Sequence, residues 1–335
     1  MKIAINGFGR IGRNFLRALF ADTQAKEIIS VVAINVGSGA AETAAYLFKY
    51  DTLLGTYEGT VHVDHNCMII DGHRIAIIAE LDPAAISWNT YGVEWVVESS
   101  GHFTHKKDAY KHIIAGAQHV LITAPAEDED VAIVPGVNED VFDPIRHKIV
   151  SLGSCTTNAL VPIVKILHDA FTLTSGMMTT VHAYTNTQVL LDVETSDMRR
   201  SRAAALNIIP TSTGVSDVLT KILPELDGII KSVALRVPVA KVSIIDFSFN
   251  AKKSFTLDAI HEAINQAGQG RMRGIVGITH EPLVSSDFNK THYSVVIDGL
   301  LTDVNRSMGK LFGWYDNEWG YSMRLKDFLV YVSKK

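Results

Sequence analysis

Lys2-Ile3-Ala4-Ile5-Asn6-Gly7-Phe8-Gly9-Arg10-Ile11-Gly12, followed by Arg13-Asn14-Phe15-Leu16-Arg17-Ala18-Leu19-Phe20, decides the fold of the first half of the chain. Lys2 to Ile5 is a short apolar strand, and Phe15, Leu16, Leu19 and Phe20 recur on one side of a helix from Asn14 to Phe20. A Gly-x-Gly-x-x-Gly string alone is weak, but here a strand precedes it and a helix follows. Gly7 permits the tight turn, Gly9 lets the backbone approach a pyrophosphate, and Gly12 lets helix and strand pack closely. The helix N-terminus then faces an anion, which points to a bound dinucleotide.

Further apolar strands at Trp95–Glu98, His119–Thr123 and Val131–Val134 alternate with helical segments such as Lys107–Ala115. This alternation predicts a mainly parallel sheet covered on both faces. The segment Val61–Ile78, with its Asp71-Gly72 turn, reads as an antiparallel hairpin added to it. The strand Ile28–Asn35 should end at a carboxylate that binds the adenosine ribose, yet the chain continues Asn35-Val36-Gly37-Ser38-Gly39. Without that carboxylate the usual discrimination against a 2′-phosphate is gone, so NAD and NADP both stay open.

The second informative stretch is Ser154-Cys155-Thr156-Thr157-Asn158, between the strand Lys148–Ser151 and a helix carrying Leu160, Val161, Ile163, Val164 and Leu167 on one face. A thiol at a helix N-terminus is favoured as thiolate and is a candidate nucleophile. Cys67, in the strand-like run Cys67–Ile70, reads as inert packing. Beyond Cys155 come longer strands, Gly176–Tyr184, Ser232–Val239 and Val242–Phe249, with helices at Ser216–Leu223 and Leu257–Ala267. They predict an α+β catalytic domain with an antiparallel sheet. His182 lies on the first of these strands, and a reactive cysteine commonly takes its base from elsewhere in the fold. Arg199, Arg200 and Arg202, then Thr211-Ser212-Thr213-Gly214 at a helix start, then Arg236 on a strand, supply the forked and hydroxyl donors that suit phosphate.

Composition narrows the function classes. The 335 residues are 47% hydrophobic, enough for two cores, and no apolar run is long enough to cross a bilayer. Two cysteines cannot build a disulfide framework, and the start at Met1 enters a strand pattern directly, so a cytoplasmic setting is expected. A formal net charge of −5 argues against a nucleic-acid or membrane partner. The 13 histidines show no zinc-site spacing, and no metal is expected.

Three blocks, Asn6–Gly12, Ser154–Asn158 and Trp314-Tyr315-Asp316-Asn317-Glu318-Trp319-Gly320-Tyr321-Ser322, together resemble phosphorylating glyceraldehyde-3-phosphate dehydrogenases. Lys49-Tyr50-Asp51, His182–Asn186, Ile209-Pro210-Thr211 and Leu235–Pro238 extend the likeness over essentially the whole chain. The resemblance implies oxidation of glyceraldehyde 3-phosphate to 1,3-bisphosphoglycerate with NAD or NADP, in glycolysis or gluconeogenesis, by a homotetramer. It implies a Rossmann-type dinucleotide-binding domain over 1–153, a catalytic domain over 154–318, and a helix over 319–335 that returns to the first domain. Cys155 then corresponds to the nucleophile and His182 to its base, active as imidazolium in stabilising the thiolate. Gly7, Phe8, Gly9, Arg10, Ile11, Gly12, Asn35, Ser38, Ser100, Gly101, Thr123, Asn317 and Tyr321 fall to the cofactor. Ser154, Thr156, Thr213 and Gly214 match an inorganic-phosphate pocket, and Thr185, Arg200 and Arg236 match groups around the phosphates.

The chain departs from the family pattern in places. Leu152-Gly153 stand before the Ser-Cys pair, Ala159 replaces a second cysteine, and Thr187 stands where an Asp usually frames the substrate phosphate. Ser38 offers a hydroxyl to a 2′-phosphate, while Leu81 provides no cation and Glu194 would repel it. The rival reading is erythrose-4-phosphate dehydrogenase, with the same thiol and base but water as acyl acceptor. A non-catalytic dinucleotide- or RNA-binding module is the alternative from another class.

Overall fold

The computed structural model of the chain describes residues 1–335 and divides into two compact units. The first comprises Met1–Ile133, Glu139–Gly153 and Ser322–Lys335, and the second Val134–Asn138 and Ser154–Tyr321.

Nine strands form the sheet of the first unit, in the spatial order Val131–Ala132, Ile149–Ser151, His119–Ile122, Trp95–Glu98, Lys2–Asn6, Ser30–Asn35, His73–Ile78, Cys67–Ile70, Val61–Asp64. All pairs are parallel as far as His73–Ile78, and the last two strands join antiparallel. The central strands are buried almost throughout, as expected of parallel strands covered on both faces. Asp71 and Gly72 adopt φ of +48° and +82°, the left-handed pair a two-residue hairpin turn requires. The strand expected from Ile28 begins at Ser30, because Thr23–Ile28 forms a short helix whose cap, Asp22, accepts from Ala25 N at 3.0 Å. The single helix expected over Lys107–Ala115 is broken at Tyr110 into Lys106–Ala109 and Lys111–Ile114.

A final helix spans Trp319–Val332. Within the first unit, its Phe328 meets the Trp95 and Phe142 rings edge-on at 5.9 and 5.6 Å. Lys326 donates to the Asp22 carboxylate.

The second unit is built on a mixed sheet in the order Ile209–Thr211, Ile230–Val237, Leu173–Ala183, Ser243–Ala251, Met308–Tyr315, Val295–Asp298, Val276–Thr279, with Asp303–Asn305 alongside Met308–Tyr315. The expected antiparallel pairing runs through its middle. Two pairs are parallel, Leu173–Ala183 with Ile230–Val237 and Val276–Thr279 with Val295–Asp298, a distinction that strand patterning does not carry. Strand periodicity of two puts Met178, Thr180 and His182 on one buried face. Ile245, Phe247 and Phe249 line the core from the neighbouring strand. The helix Cys155–Phe171 is buried along most of its length, with contacts to the strands Leu173–Ala183 and Ser243–Ala251 and to the helix Leu257–Gln269.

Candidate active site

The start of the helix Cys155–Phe171 is fixed by a reciprocal cap. Ser154 Oγ accepts from Thr157 N at 3.0 Å, and Thr157 Oγ1 accepts from Ser154 N at 3.2 Å. Cys155, held in that first turn, brings Sγ to 3.4 Å from Nε2 of His182. The imidazole is buried, and its Nδ1 lies 2.6 Å from the Ala183 carbonyl. A proton on Nδ1 would donate to that carbonyl and leave the Nε2 lone pair facing the sulfur, the tautomer a base requires, whereas the Arg236 guanidinium, which only donates, draws on the opposite one. Arg236 is the register partner of His182 on the adjacent parallel strand, which puts its side chain beside the ring. Its Nη1 donates to the Ala183 carbonyl at 3.0 Å and lies 2.8 Å from His182 Nδ1.

These surroundings set the charges. Burial pushes the Cys155 thiol up, opposed by the Arg236 guanidinium and by hydrogen bonding from Thr156. Burial, reinforced by the same guanidinium, pushes His182 down to about 3. The sequence-based expectation of an imidazolium stabilising a thiolate is therefore corrected for the free protein. Both directions favour thiol and neutral imidazole over the ion pair, because an interior site beside a permanent cation disfavours a second one.

Sequence reasoning missed the centre of the hydroxyl network. Tyr315 Oη is 3.0 Å from Thr156 Oγ1 and 2.7 Å from Thr180 Oγ1, and its ring meets His182 edge-on at 5.9 Å. Burial, then the nearby Cys155, raises its phenol, as it does that of Tyr321. Tyr315 lies inside the block Trp314–Ser322 but reads as an inward-facing strand residue, so only its polar tip hinted at a role. Asn317 is buried, and its Oδ1 accepts from Ser243 Oγ at 3.4 Å. Asp316, just before it, has a buried side chain paired with Lys241 Nζ at 3.0 Å and accepts from the backbone N–H of Lys290, Glu318 and Trp319.

Around the thiol the second unit gathers cations. Arg200 Nε donates to Thr211 Oγ1 at 2.9 Å, and the charges of Arg200 and Arg236 oppose each other. Nε of Arg236 is buried without a partner, an open donor suited to an anion. Thr185 and Thr187 place their hydroxyls 3.0 Å apart. Gly214 is the N-cap of the helix Val215–Ile222 with no side chain capping it, and Thr213 precedes it, half-buried.

In the first unit the cradle geometry fits a dinucleotide. Gly7 has φ of +89°, and a Cβ there would stand 2.4 Å from Ser100 N. A Cβ on Gly12 would stand 2.5 Å from the Gly7 carbonyl, whereas Gly9 has open space before it. Gly7 and Gly12 thus leave no room for a side chain at the turn and at the helix–strand packing, and Gly9 leaves the space before the helix start open. No side chain caps the helix Arg10–Ala21, whose N-cap is Gly9. Arg10 pairs with Asp51, Phe8 stacks on Phe48 at 6.3 Å, and Ile11 is half-buried in the first helical turn. Ser38 is exposed in the turn after the strand Ser30–Asn35, and Ser100, Gly101 and Thr123 follow the ends of Trp95–Glu98 and His119–Ile122.

Residues 1–106 match a family model described as the NAD binding domain of glyceraldehyde 3-phosphate dehydrogenase, and residues 154–317 match its C-terminal domain. The chain is 47% identical over 335 residues to glyceraldehyde-3-phosphate dehydrogenase 1 of Bacillus cereus, covering 100% of this chain and 99% of the relative. It is 48% identical over 336 residues to glyceraldehyde-3-phosphate dehydrogenase of Priestia megaterium, with the same coverage. The corresponding protein of Geobacillus stearothermophilus is 45% identical over 336 residues, again covering 100% and 99%.

Proposed function

The chain belongs to the glyceraldehyde 3-phosphate dehydrogenase family, and from that premise we propose that it oxidises glyceraldehyde 3-phosphate with NAD or NADP and transfers the acyl group to inorganic phosphate. The observation that carries this reading is Cys155 Sγ at a capped helix start, 3.4 Å from the Nε2 of a neutral imidazole. We assign the first unit to the dinucleotide, with Gly7, Phe8, Gly9, Arg10, Ile11, Gly12, Ser38, Ser100, Gly101 and Thr123 forming its cradle and Asn35 setting the turn behind it. Asn317 and Tyr321 are assigned to the nicotinamide end.

In the proposed reaction Cys155 attacks the aldehyde while His182 Nε2 accepts the thiol proton, giving a thiohemiacetal. The imidazolium so formed gives its proton to the new alkoxide, completing the hydroxyl, or holds it beside that oxygen as an ion pair. A nicotinamide held beside Asn317 and Tyr321 would supply a hydride acceptor, and His182 Nε2 would take the hydroxyl proton as hydride leaves and the thioester forms. Thr156 and the amides of the first helical turn hold the developing oxyanion. Arg200, Arg236 and Thr185 hold the substrate's phosphate, and Ser154, Thr156, Thr213 and Gly214 present inorganic phosphate to the thioester carbonyl. Attack there releases the acyl phosphate and restores the thiol.

Leu190, Leu191, Met198, Leu206 and Ile208 are 67–89% exposed on the loop between His182 and the strand Ile209–Thr211. Exposed apolar side chains grouped on one loop support assembly with further copies of the chain, and we propose a homotetramer, to be checked by light scattering. No helix is long and apolar enough to cross a membrane. Both cysteines are free, which supports a reducing, cytoplasmic location.

The deciding experiment is steady-state kinetics with glyceraldehyde 3-phosphate, with and without phosphate, using NAD and NADP in parallel. Phosphate-dependent acyl phosphate formation is expected. The curated relatives quoted above are all named for glyceraldehyde 3-phosphate, which disfavours the erythrose 4-phosphate alternative. Phosphate-independent production of a sugar acid would restore that alternative.

A further inference from the structure

Glu98 closes the strand Trp95–Glu98 and is 2% exposed, a carboxylate inside the first unit with no part in the chemistry above. Two chains of hydrogen bonds converge on it. The first starts at the backbone N–H groups of Gly37 and Glu80, which donate to Asn35 Oδ1 at 3.3 and 3.0 Å. Asn35 Nδ2 donates to the Glu80 carbonyl at 2.8 Å and to Asn6 Oδ1 at 2.7 Å, and Asn6 Nδ2 donates to Glu98 Oε2 at 2.6 Å. The second starts at the indole N–H of Trp88, 3.0 Å from Nδ1 of the fully buried His112. Indole nitrogen only donates, so His112 carries its proton on Nε2, which reaches Glu98 Oε2 at 2.9 Å. The other oxygen, Oε1, accepts from Ser100 N at 2.8 Å and from the Ser100 hydroxyl.

Backbone N–H groups at one end and an indole N–H at the other fix the direction of every bond between them. Only a side chain that accepts on both oxygens completes the pattern, so an amide at position 98 would set N–H against N–H. Within this network Asn6, Asn35 and Glu98 end three adjacent strands, Lys2–Asn6, Ser30–Asn35 and Trp95–Glu98. In a parallel sheet these C-terminal ends are where a dinucleotide lies. The network also explains Asn35, whose amide is fully engaged within the protein and acts on the cradle through the Val36-Gly37 turn.

We propose that Glu98 is a positioning residue for cofactor binding, a single buried anion that holds the Gly7 turn, the Val36-Gly37 turn and the Ser100-Gly101 loop in mutual register. This rests on the reading of the first unit as the dinucleotide site. With Glu98→Gln the three loops lose that common anchor, and cofactor is bound by a cradle that must first reassemble. The expected result is a weakening of NAD and ADP-ribose binding by about tenfold or more, with a matching rise in KM for cofactor. The value of kcat at saturating cofactor and the rate of Cys155 alkylation without cofactor stay unchanged.

The test is fluorescence titration of the full-length wild type, Glu98→Gln and Trp88→Phe with NAD, NADP and ADP-ribose, alongside steady-state kinetics and iodoacetate alkylation. Trp88→Phe removes one of the two converging chains while keeping the carboxylate, so it should give a smaller loss of the same kind and remains informative if Glu98→Gln does not fold. Unchanged cofactor affinity in either folded variant, or a fall in kcat and thiol reactivity without a change in affinity, overturns the proposal. A wild type that binds neither NAD nor NADP instead overturns the dinucleotide reading beneath it.

Discussion

Nη1 of Arg236 lies 2.8 Å from Nδ1 of His182, and both point at the Ala183 carbonyl. One cation therefore acts on the thiol and the base together, lowering the pKa of each. Arg236→Gln is expected to move the pH profile of Cys155 alkylation upward, because the attraction for thiolate is lost. The same change should cut kcat/KM by at least about thirtyfold through the unpaired substrate phosphate. An unshifted profile would show that the guanidinium does not reach the sulfur electrostatically.

Cys155→Ser should abolish dehydrogenase activity while NAD binding survives, since the cradle lies on other residues. His182→Asn should slow both the hydride step and alkylation at neutral pH by roughly 10² or more, through loss of the base. Stopped-flow absorbance and iodoacetate kinetics measure the two effects. Equal alkylation rates in wild type and His182→Asn would uncouple the pair.

His182 takes up a proton near 6.5 when unfolded but only near 3 in the folded protein. Between those values the unfolded chain binds the additional proton, so this group's stability contribution is full above pH 6.5 and is lost as pH falls toward 3. The wild type should thus lose up to about 1.4 kcal/mol per pH unit relative to His182→Asn across that window. Denaturant unfolding of both proteins from pH 7 to pH 4 (roughly the span that contains the effect) measures the difference. Parallel curves would mean that the buried imidazole is protonated as readily as in the unfolded chain.

Val36→Asp restores a carboxylate at the end of the strand Ser30–Asn35, where it would accept from a ribose 2′-hydroxyl and repel a 2′-phosphate. The ratio of kcat/KM for NAD to that for NADP should rise by about tenfold or more. A constant ratio would place ribose selection on other residues, with Ser38 the next to vary.

The buried pair of Lys241 and Asp316 predicts a stability effect rather than a chemical one. Asp316→Asn takes from the Lys241 ammonium, whose side chain is 5% exposed, the nearer of its two carboxylates, leaving Glu318 at 3.8 Å, and is expected to cost about 2 kcal/mol or more. It would also loosen the turn that presents Asn317. A melting temperature within a degree or two of wild type (roughly the noise floor of a single-site change) would show that the ammonium finds water or another partner.

The sequence carried the site unevenly, for physical reasons. Gly7, Gly12 and Cys155 were legible because their roles are local: a left-handed φ, a missing Cβ and a helix start are written within a few residues. His182 and Arg236 were legible as chemistry, but their adjacency is a matter of strand register between segments 54 residues apart. Tyr315 and Glu98 were hidden because a buried polar group on an apolar strand follows the same alternation as core residues. Its partners, Thr156 and Thr180 or Asn6 and His112, come from distant parts of the chain. Charge state was the least legible of all, since burial works against the expected thiolate–imidazolium pair in a way local sequence does not reveal.

The segment Ser322–Lys335 completes the unit that Met1 begins, with Lys326 reaching Asp22 across 304 positions and Phe328 closing the Trp95–Phe142 cluster. Without this segment the first unit lacks Lys326 and Phe328, and the Trp95–Phe142 cluster stays open on the side that Phe328 covers. Removing Ser322–Lys335 should therefore damage the unit that begins at Met1 more than the one that carries the thiol, since this segment ties two distant stretches of chain into one cooperative fold.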